Sequence, residues 1–448
     1  MTLENIILQL SSILLWGNLL ARQIKASNYL LITFLVSFAL QYILPPLYFL
    51  AVGNTDNRYF DTSSTHGDFM LHLSVLVFLL SLYAGLLLFP TSRARASLSG
   101  ISARRRDILL PPPHTMLEER NSSLATRYYT PTQIPYKRVK AILLIVSLLA
   151  IVVQYKSFKY LFSADLIADR LIYNQGKGYL QLINIASYFL VFIGIKQYCE
   201  RKISFQYLLL HAVPAFIIYA LKLQRGHSVY PLFFIFVTYA FVNFKKKYLF
   251  PLFTIILLAV FYIGPLTSEL RKNLVSGREL TLSTIKHQEV IPASFAHAEL
   301  LSATIEDSSL EKDRIGVFWG TLVNFIPRVF FSDKPTSLGP VLSSHYSADS
   351  YQYTQKGNHR SSFTTDLLIE GYYYAGLLGI FLLGFVYCLG LQKVWLHIHL
   401  ATTPYAFLLL PLGLFLWGYT IFFTDLGNWM GYIVLYYFVY MTINRIRL

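Results

Sequence analysis

Two carboxylates stand four residues apart where a long apolar stretch begins. Asp366 and Glu370 open the stretch 364–392, and at i and i+4 they share one face of a helix. Ionisable side chains at the mouth of an apolar span are costly and usually functional. A carboxylate in such a partly dry setting suits general-base chemistry on a hydroxyl group. We therefore predict Glu370, and after it Asp366, as catalytic residues; the alternative is a structural ion pair with a nearby arginine.

Basic residues with phosphate-binding chemistry recur beside glycine, proline or aromatic residues. An arginine side chain binds phosphate through two parallel hydrogen bonds, and lysine adds a point charge. Several of them converging would hold a pyrophosphate, whereas each one alone is equally an interface anchor or a rim ion pair. The candidates are Arg225, Arg271, Arg328, Lys334 and Arg360.

Histidine and tyrosine residues accompany these charges. His359 has the chemistry of a proton shuttle, although a lone loop histidine is more often structural. Tyr372, with the tyrosines near it, suits stacking against a sugar and suits an interfacial aromatic belt equally well. Asp425 and Trp429 are weaker candidates, since both also fit turn and interface positions.

Several chemistries have no motif in the chain. There is no GxxxxGK[ST] phosphate loop, no HExxH, no GxSxG and no Cys/His cluster with zinc spacing. The two cysteines stand far apart and form no CxxC. Energy and activation are therefore expected to arrive with the substrate or through a gradient, and no cofactor, metal or nucleic-acid partner is expected.

The composition is that of a chain that lives in lipid. Of 448 residues, 55% are hydrophobic and only 14% are charged, against about 25% charged in soluble domains. A helix needs about 20 apolar residues to cross the hydrocarbon core. We predict an all-α integral membrane protein, a single polytopic domain over 1–448 with eleven transmembrane helices. The predicted spans are 3–20, 29–52, 69–90, 141–158, 179–199, 204–222, 229–243, 248–264, 364–392, 404–424 and 427–443.

The distribution of Lys and Arg sets the predicted orientation, because cytoplasmic segments retain them. When the connection 91–140 is placed in the cytoplasm, the segments on that side hold 21 basic and four acidic residues. The opposite side holds 17 basic and 19 acidic residues. The N-terminus is therefore predicted outside and the C-terminus inside.

Two extramembrane segments are long. The basic segment 91–140 is interpreted as a cytoplasmic loop held near anionic headgroups, with docking of a regulatory partner as the alternative. The outer loop 265–363, between the eighth and ninth spans, is long enough to fold, and loops of that length are usually functional. Within it, Ile315, Phe318 and Leu322 recur at helical spacing.

At four ordered stretches the chain resembles the Wzy-type polymerases of O-antigen and oligosaccharide repeat units. That family has about ten to fourteen spans and one large periplasmic loop late in the chain. The Arg225 stretch has Gln224 where the family usually has glycine. The four stretches are Ala168-Asp169-Arg170 with Gly176 to Tyr179, Leu223-Gln224-Arg225-Gly226, Ile326-Pro327-Arg328 with Asp333-Lys334-Pro335, and Asn358 to Gly376.

The resemblance implies a metal-independent glycosyltransferase in the bacterial inner membrane. The growing glycan would leave its undecaprenyl pyrophosphate and join a new lipid-linked repeat unit at the periplasmic face. Partners would be the lipid-linked donor and acceptor, membrane lipid and, at 91–140, a chain-length regulator. The substrate-binding residues that the resemblance implies are Arg170, Arg225, Arg271, Arg328, Lys334, His359, Arg360 and Tyr372.

Two other functions stay open. An O-antigen ligase has the same donor and a similar topology but transfers to the lipid A core. A flippase or other transporter should show paired broken helices and ionisable groups near the bilayer midplane, whereas the charges here lie at the outer rim.

Overall fold

A computed structural model gives the architecture of the chain. The residues that it describes are almost entirely helical and include no strand. They are 3–26, 28–47, 65–88, 136–155, 180–221, 235, 237–239, 241–242, 296–307, 309–310, 313–324, 326, 330–331, 333–346, 365–401, 403, 405–422 and 424–445.

Twelve helical elements organise these residues, and we number them in chain order. They are α1 (Leu3–Ala26), α2 (Tyr29–Phe38, continued by a π-helical turn at Ala39–Ile43), α3 (Thr65–Leu88), α4 (Tyr136–Gln154), α5 (Leu180–Cys199), α6 (Phe205–Leu221), α7 (Ala296–Glu306), α8 (Arg314–Leu322), α9 (Leu338–Tyr346), α10 (Leu367–Leu400), α11 (the mixed helical run Ala406–Phe422) and α12 (Leu426–Arg445).

Four helices are long and apolar enough to cross a membrane by length and composition. They are Leu3–Ala26, Tyr29–Leu47, Gly67–Leu88 and Leu367–Leu400. The all-α prediction is therefore confirmed for the described residues. The count of eleven spans stays a prediction, because the predicted span 248–264 and most of the span 229–243 lie outside the described residues. So do 89–135 and most of the predicted loop 265–363.

The outer helices carry their apolar side chains outwards. In α1, Asn5, Gln9 and Ser12 are buried, whereas Leu3 and Leu14 are more than 70% exposed. In water, this arrangement would leave many apolar side chains exposed, at a free-energy cost of about 25 cal/mol for each Å² of apolar surface that is not buried. A lipid surround removes that cost, and polar groups are then best placed towards other helices.

Small residues bring the central helices close together. A Cβ on Gly384 of α10 would lie 2.1 Å from the Ser81 hydroxyl of α3, and one on Gly85 would lie 3.0 Å from Cβ of Cys388. Packing through small side chains is typical of helices in membranes, where no hydrophobic force separates helix from lipid.

The first three helices run in alternating directions. At one end, Nη1 of Arg22 donates to the Tyr83 hydroxyl at 3.0 Å, joining the end of α1 to the end of α3. At the opposite end, Nε2 of Gln41 donates to the carbonyl of Phe422 at 2.7 Å. The first end carries basic residues such as Arg22; the second, which we call the carboxylate end, carries Asp366.

The ninth predicted span, 364–392, is not one continuous helix. Helix α10 extends to Leu400, but Ala375 and Gly376 leave helical geometry, with φ of +60° at Gly376. A Cβ on Gly379 would lie only 2.1 Å from the carbonyl oxygen of Gly371. Residues eight apart in a straight helix are about 12 Å apart, so 367–374 folds back on the start of 377–400. We call these two pieces α10a and α10b.

Candidate functional site: a buried carboxylate cluster

The predicted catalytic pair lies on α10a, where several elements meet. α7, from the segment 265–363 that was predicted to be an outer loop, packs against both α3 and α10, and the π-helical turn of α2 contacts α7. The first residue of α12 reaches Glu370 from the other side. The fold-back at Gly376 therefore brings two acids from the rim of a span into a buried junction.

Asp366 caps the N-terminus of α10a and has all its oxygens engaged. Its Oδ1 accepts hydrogen bonds from the backbone N–H groups of Leu368 (3.0 Å) and Ile369 (3.2 Å). Its Oδ2 accepts one from the Tyr42 hydroxyl at 2.6 Å. Nδ1 of His297 lies 3.2 Å from that same oxygen. A carboxylate at an N-cap is favoured by the helix dipole, so Asp366 is held in place on every side.

Glu370 is fully buried, and its two oxygens differ. Oε1 accepts hydrogen bonds from the Thr365 hydroxyl at 2.8 Å and from the backbone N–H of Leu426 at 2.9 Å. Oε2 has no hydrogen-bond partner among the described residues. A buried oxygen without a partner costs about 1–3 kcal/mol, and such groups call for a functional explanation.

A third acid, Asp425, stands at the N-terminus of α12. Its Oδ1 accepts from the backbone N–H of Asn428 at 2.8 Å, and its Oδ2 from the Asn428 side chain at 2.6 Å. Burial raises the pKa of the Asp425 carboxyl, against hydrogen bonds from Asn428 and Asn324 that favour its charged form. The cap orients the first N–H of α12 towards Glu370.

The cluster of Asp366, Glu370 and Asp425 carries more acidic than basic groups. Within the part of the chain that the structure describes, none of the three forms an ion pair with Lys or Arg, and the nearest basic side chain to Asp366 is His297, with Nδ1 at 3.2 Å from Oδ2. Three carboxylates in a dry junction repel one another. A cationic or proton-bearing group is the natural ligand of this junction.

Two further predicted site residues are described. Nζ of Lys334 donates to the carbonyl oxygens of Asn324 (2.8 Å) and Ile326 (3.1 Å), so it holds the loop that follows α8. Tyr372 is partly exposed on α10a. The remaining predictions, Arg170, Arg225, Arg271, Arg328, His359 and Arg360, lie outside the described residues.

Sequence reasoning missed Tyr42, His297 and Thr365. Each contacts one of the two predicted acids. Tyr42 and His297 lie in no motif, and Thr365 lies inside the stretch Asn358 to Gly376 without a pattern that distinguishes it. Tyr42 sits in a π-helical turn, a feature frequent at functional sites, but π-turns have no reliable sequence signal. The partners of a buried acid were therefore to be found only from the fold.

Comparison of the chain with family models, with curated proteins and with solved structures finds no match in any of the three.

Proposed function

We propose that the chain is a polysaccharide polymerase. It transfers a growing glycan from undecaprenyl pyrophosphate to a lipid-linked repeat unit at the periplasmic face of the bacterial inner membrane. The observation that carries the proposal is Glu370, whose Oε1 is fixed by Thr365 and Leu426 while its Oε2 has no partner within the described residues. An acid oriented through one oxygen can take a proton with the other.

In the proposed reaction, a sugar hydroxyl of the acceptor attacks the anomeric carbon of the donor. Its proton passes to Oε2 of Glu370 as the new C–O bond forms. The bond between the anomeric carbon and the pyrophosphate oxygen breaks, and its electron pair leaves with the lipid pyrophosphate. General-base assistance of this kind contributes about 10²–10⁴-fold in rate. No metal or nucleotide enters this scheme.

The two acids have different roles in the proposal. Both oxygens of Asp366 are engaged by Leu368, Ile369 and Tyr42, so Asp366 is a positioning residue that fixes the start of α10a. Glu370, one turn further on, is the catalytic residue. This ranking agrees with the sequence prediction and gives it a physical reason.

The leaving pyrophosphate needs positive charge in the transition state. The proposal assigns that task to the predicted arginines, Arg328 foremost. Lys334, which holds the loop after α8 through Asn324 and Ile326, would orient the segment that carries Arg328. The acids and the arginines would then act on opposite ends of the reacting bond.

The proposal includes the predicted topology of eleven spans, with a periplasmic N-terminus and a cytoplasmic C-terminus. The hydrogen bonds between Arg22 and Tyr83 at one end and between Gln41 and Phe422 at the other agree with the alternating helix directions that this topology requires of α1, α2 and α3. The carboxylate end would then face the periplasm.

Complementation in the host tests the proposal. The gene is deleted and replaced by wild type, Glu370→Gln, Asp366→Asn or Arg328→Ala, and the surface polysaccharide is separated on a gel. Glu4→Gln is the matched control, since it makes the same chemical change at an exposed acid in α1. We expect core plus one repeat unit in the null strain and in Glu370→Gln, and full polymers with Glu4→Gln.

Other outcomes would overturn the proposal. Full polymers from a well-expressed Glu370→Gln variant would remove Glu370 from the reaction. A null strain with bare core and polymerised lipid-linked glycan would indicate the ligase. Repeat units retained on the cytoplasmic face would indicate a transporter, a class that the broken helix at Gly376 would suit.

A further inference from the structure

Helix α8 packs its small residues against the protein and exposes its large apolar residues, which is the opposite of an amphipathic helix in water. Val317, Gly320 and Thr321 are its buried residues. The apolar residues on its other side are exposed, Ile315 by 83% and Trp319 by 53%. The sequence pattern predicts an amphipathic helix here, and the helix is present, but its apolar face points away from the protein.

The buried side of α8 is built for close backbone contact. A Cβ on Gly320 would lie 2.4 Å from the carbonyl oxygen of Thr336, and one on Gly427 of α12 would lie 1.8 Å from the carbonyl oxygen of Thr321. These contacts fix which side faces the protein. The outward position of the apolar side is therefore set by packing on both neighbours.

An apolar patch results, formed by Ile315, Phe318 and Trp319, which are exposed and share one face of α8 at i, i+3 and i+4. Fully burying a side chain of this kind is worth about 1.5–3 kcal/mol. An exposed patch of large apolar residues marks a site of interaction with protein, ligand or membrane.

The patch continues a surface that lipid is expected to cover. The Phe318 ring packs edge-on against Tyr374 with centroids 5.0 Å apart, and Tyr374 is the last residue of α10a. Just after the break, Leu378 and Leu382 of α10b are 63% and 50% exposed, on a helix apolar enough to cross a membrane. The patch therefore lies next to the point where α10b enters its span.

The composition of α8 also fits the membrane surface. Aromatic residues prefer the interface between headgroups and acyl chains, and a short helix with a strong apolar face and a charged start lies in that plane. Asp313 caps the helix through the N–H of Gly316 at 2.9 Å, and Arg314 is exposed beside it. These charges stand at the start of the helix, off the apolar side.

We propose that α8 is an interfacial helix, bound to membrane lipid at the carboxylate end through the patch of Ile315, Phe318 and Trp319. It lies in the plane of the membrane surface, with the patch in the boundary between headgroups and acyl chains. The inference does not depend on the glycan chemistry proposed above, because exposure and packing alone carry it.

Lipid contact at α8 has a consequence for the cluster. The Thr321 hydroxyl accepts hydrogen bonds from the Tyr374 hydroxyl at 2.8 Å and from the N–H of Leu338 at 3.3 Å. Thr321 thus joins the interfacial helix to α9 and to the end of α10a, which carries Glu370. The depth of Glu370 relative to the membrane surface is then fixed by α8.

Depth-dependent quenching tests the inference on the full chain. Single cysteines at Ile315 and Trp319 carry an environment-sensitive dye, and the labelled protein is reconstituted in vesicles of phosphatidylcholine and phosphatidylglycerol. The lipids carry a nitroxide either near the headgroup or deep in the acyl chain. The native cysteines, Cys199 and Cys388, are both buried, and labelling of the unchanged chain gives the background.

We expect labels at Ile315 and Trp319 to lose most of their fluorescence to the shallow nitroxide and less to the deep one. Thr336→Cys is the matched control. Thr336 is exposed in the connection between α8 and α9, but it lies against the Gly320 side of α8, so little quenching is expected. Val434→Cys, exposed on α12, should respond to the deep nitroxide. Phe318→Cys gives a third patch position if one variant does not fold.

Two results would overturn the inference. Patch labels quenched by aqueous iodide and not by lipid nitroxide would show a free surface in water. Patch labels shielded from both quenchers, with cross-links between copies of the chain, would show that a second copy covers the patch.

Discussion

The Tyr42 hydroxyl donates a 2.6 Å hydrogen bond to Oδ2 of Asp366, joining two residues 324 positions apart in the chain. Both side chains are buried. The bond links the π-helical turn of α2 to the N-terminus of α10a, so it fixes the first helical turn of the segment that presents Glu370. A buried hydrogen bond to a carboxylate is among the stronger kinds.

Replacing Tyr42 with Phe should destabilise the carboxylate end without altering Glu370 itself. Loss of a hydrogen bond to a charged group costs about 1.5–3 kcal/mol. We expect a lower thermal midpoint, measured by reaction of the buried Cys199 and Cys388 thiols with a fluorogenic dye during heating. Tyr437→Phe, at a tyrosine that is 47% exposed, should leave the midpoint unchanged; equal midpoints for both variants would contradict the assigned role of Tyr42.

Replacing Gly376 with Ala should be destabilising because of its backbone conformation. Its φ is +60° and its ψ is −144°, a region that only glycine adopts freely, and other residues there cost about 1–3 kcal/mol. Space is not the limit, since a Cβ at Gly376 would meet nothing within 4 Å. Gly17 in α1 offers the same open space with ordinary helical geometry.

The comparison of these two variants separates conformation from crowding. We expect Gly376→Ala to lower the thermal midpoint and the yield of polymer together, because α10a then loses its fold-back. Gly17→Ala should raise the midpoint slightly, since alanine in a helix gains about 0.5–1 kcal/mol over glycine. If both variants behaved alike, the break at Gly376 would not be a constrained feature.

Apolar run length predicted most of the described helices, whereas the site needed the fold. Asp366 and Glu370 could be selected because charge in an apolar run is unusual. Tyr42 and His297 could not, since they meet Asp366 through contacts between distant parts of the chain. Thr365 is only five positions from Glu370, but it is distinguished by its hydrogen bond to that residue and not by its type or spacing. Asp425 was a weak candidate that the structure places beside Glu370 by way of Leu426.

Two features of the fold were beyond sequence reasoning for separate physical reasons. Glycine is common in membrane helices, so Gly376 gave no sign of a break. Periodicity at Ile315 and Phe318 predicted an amphipathic helix but not its direction, because an apolar face turns towards a protein core in water and can turn outwards beside lipid. The side of α8 that packs was decided instead by the small residue Gly320 and its contact with Thr336.

At the basic end, Glu200 should be more important for stability than a surface ion pair. Its Oε1 lies 3.1 Å from Nζ of Lys196, with both side chains 0% exposed, and its Oε2 lies 2.9 Å from Nζ of Lys202. Removing one partner of a buried pair costs about 3–5 kcal/mol, because the remaining charge loses its countercharge. We expect a large fall in the thermal midpoint for Glu200→Gln.

The double variant Lys196→Met with Glu200→Gln tests the coupling between the two residues. Removing both charges should restore much of the lost stability, since a buried pair replaced by neutral groups is often close to neutral. A double variant whose loss equals the sum of the two single losses would show that the pair is not coupled.

The packing of α9 against α7 should depend on pH through Asp307, which receives hydrogen bonds at the end of α7. Burial alone would raise the pKa of Asp307, but hydrogen bonds from Ser309 and from the His345 ring outweigh it and hold that pKa below its usual range. A carboxyl with a lowered folded-state pKa stabilises the fold above its unfolded-state pKa of about 4. That contribution is lost as pH falls through the lower folded-state value.

We therefore expect α9 to detach from α7 in acid, measured as faster proteolysis or amide exchange over 338–346 below about pH 4. Asp307→Asn should be less protected at neutral pH and should lose the acid-dependent step. Tyr346→Phe removes a second anchor of α9, the 2.9 Å bond from its hydroxyl to the carbonyl of Ala303, without removing a group that titrates in acid. Amide exchange in Tyr346→Phe should be faster by the same factor at every pH. If the acid-dependent step were lost in Tyr346→Phe, or kept in Asp307→Asn, a group other than Asp307 would control the packing of α9.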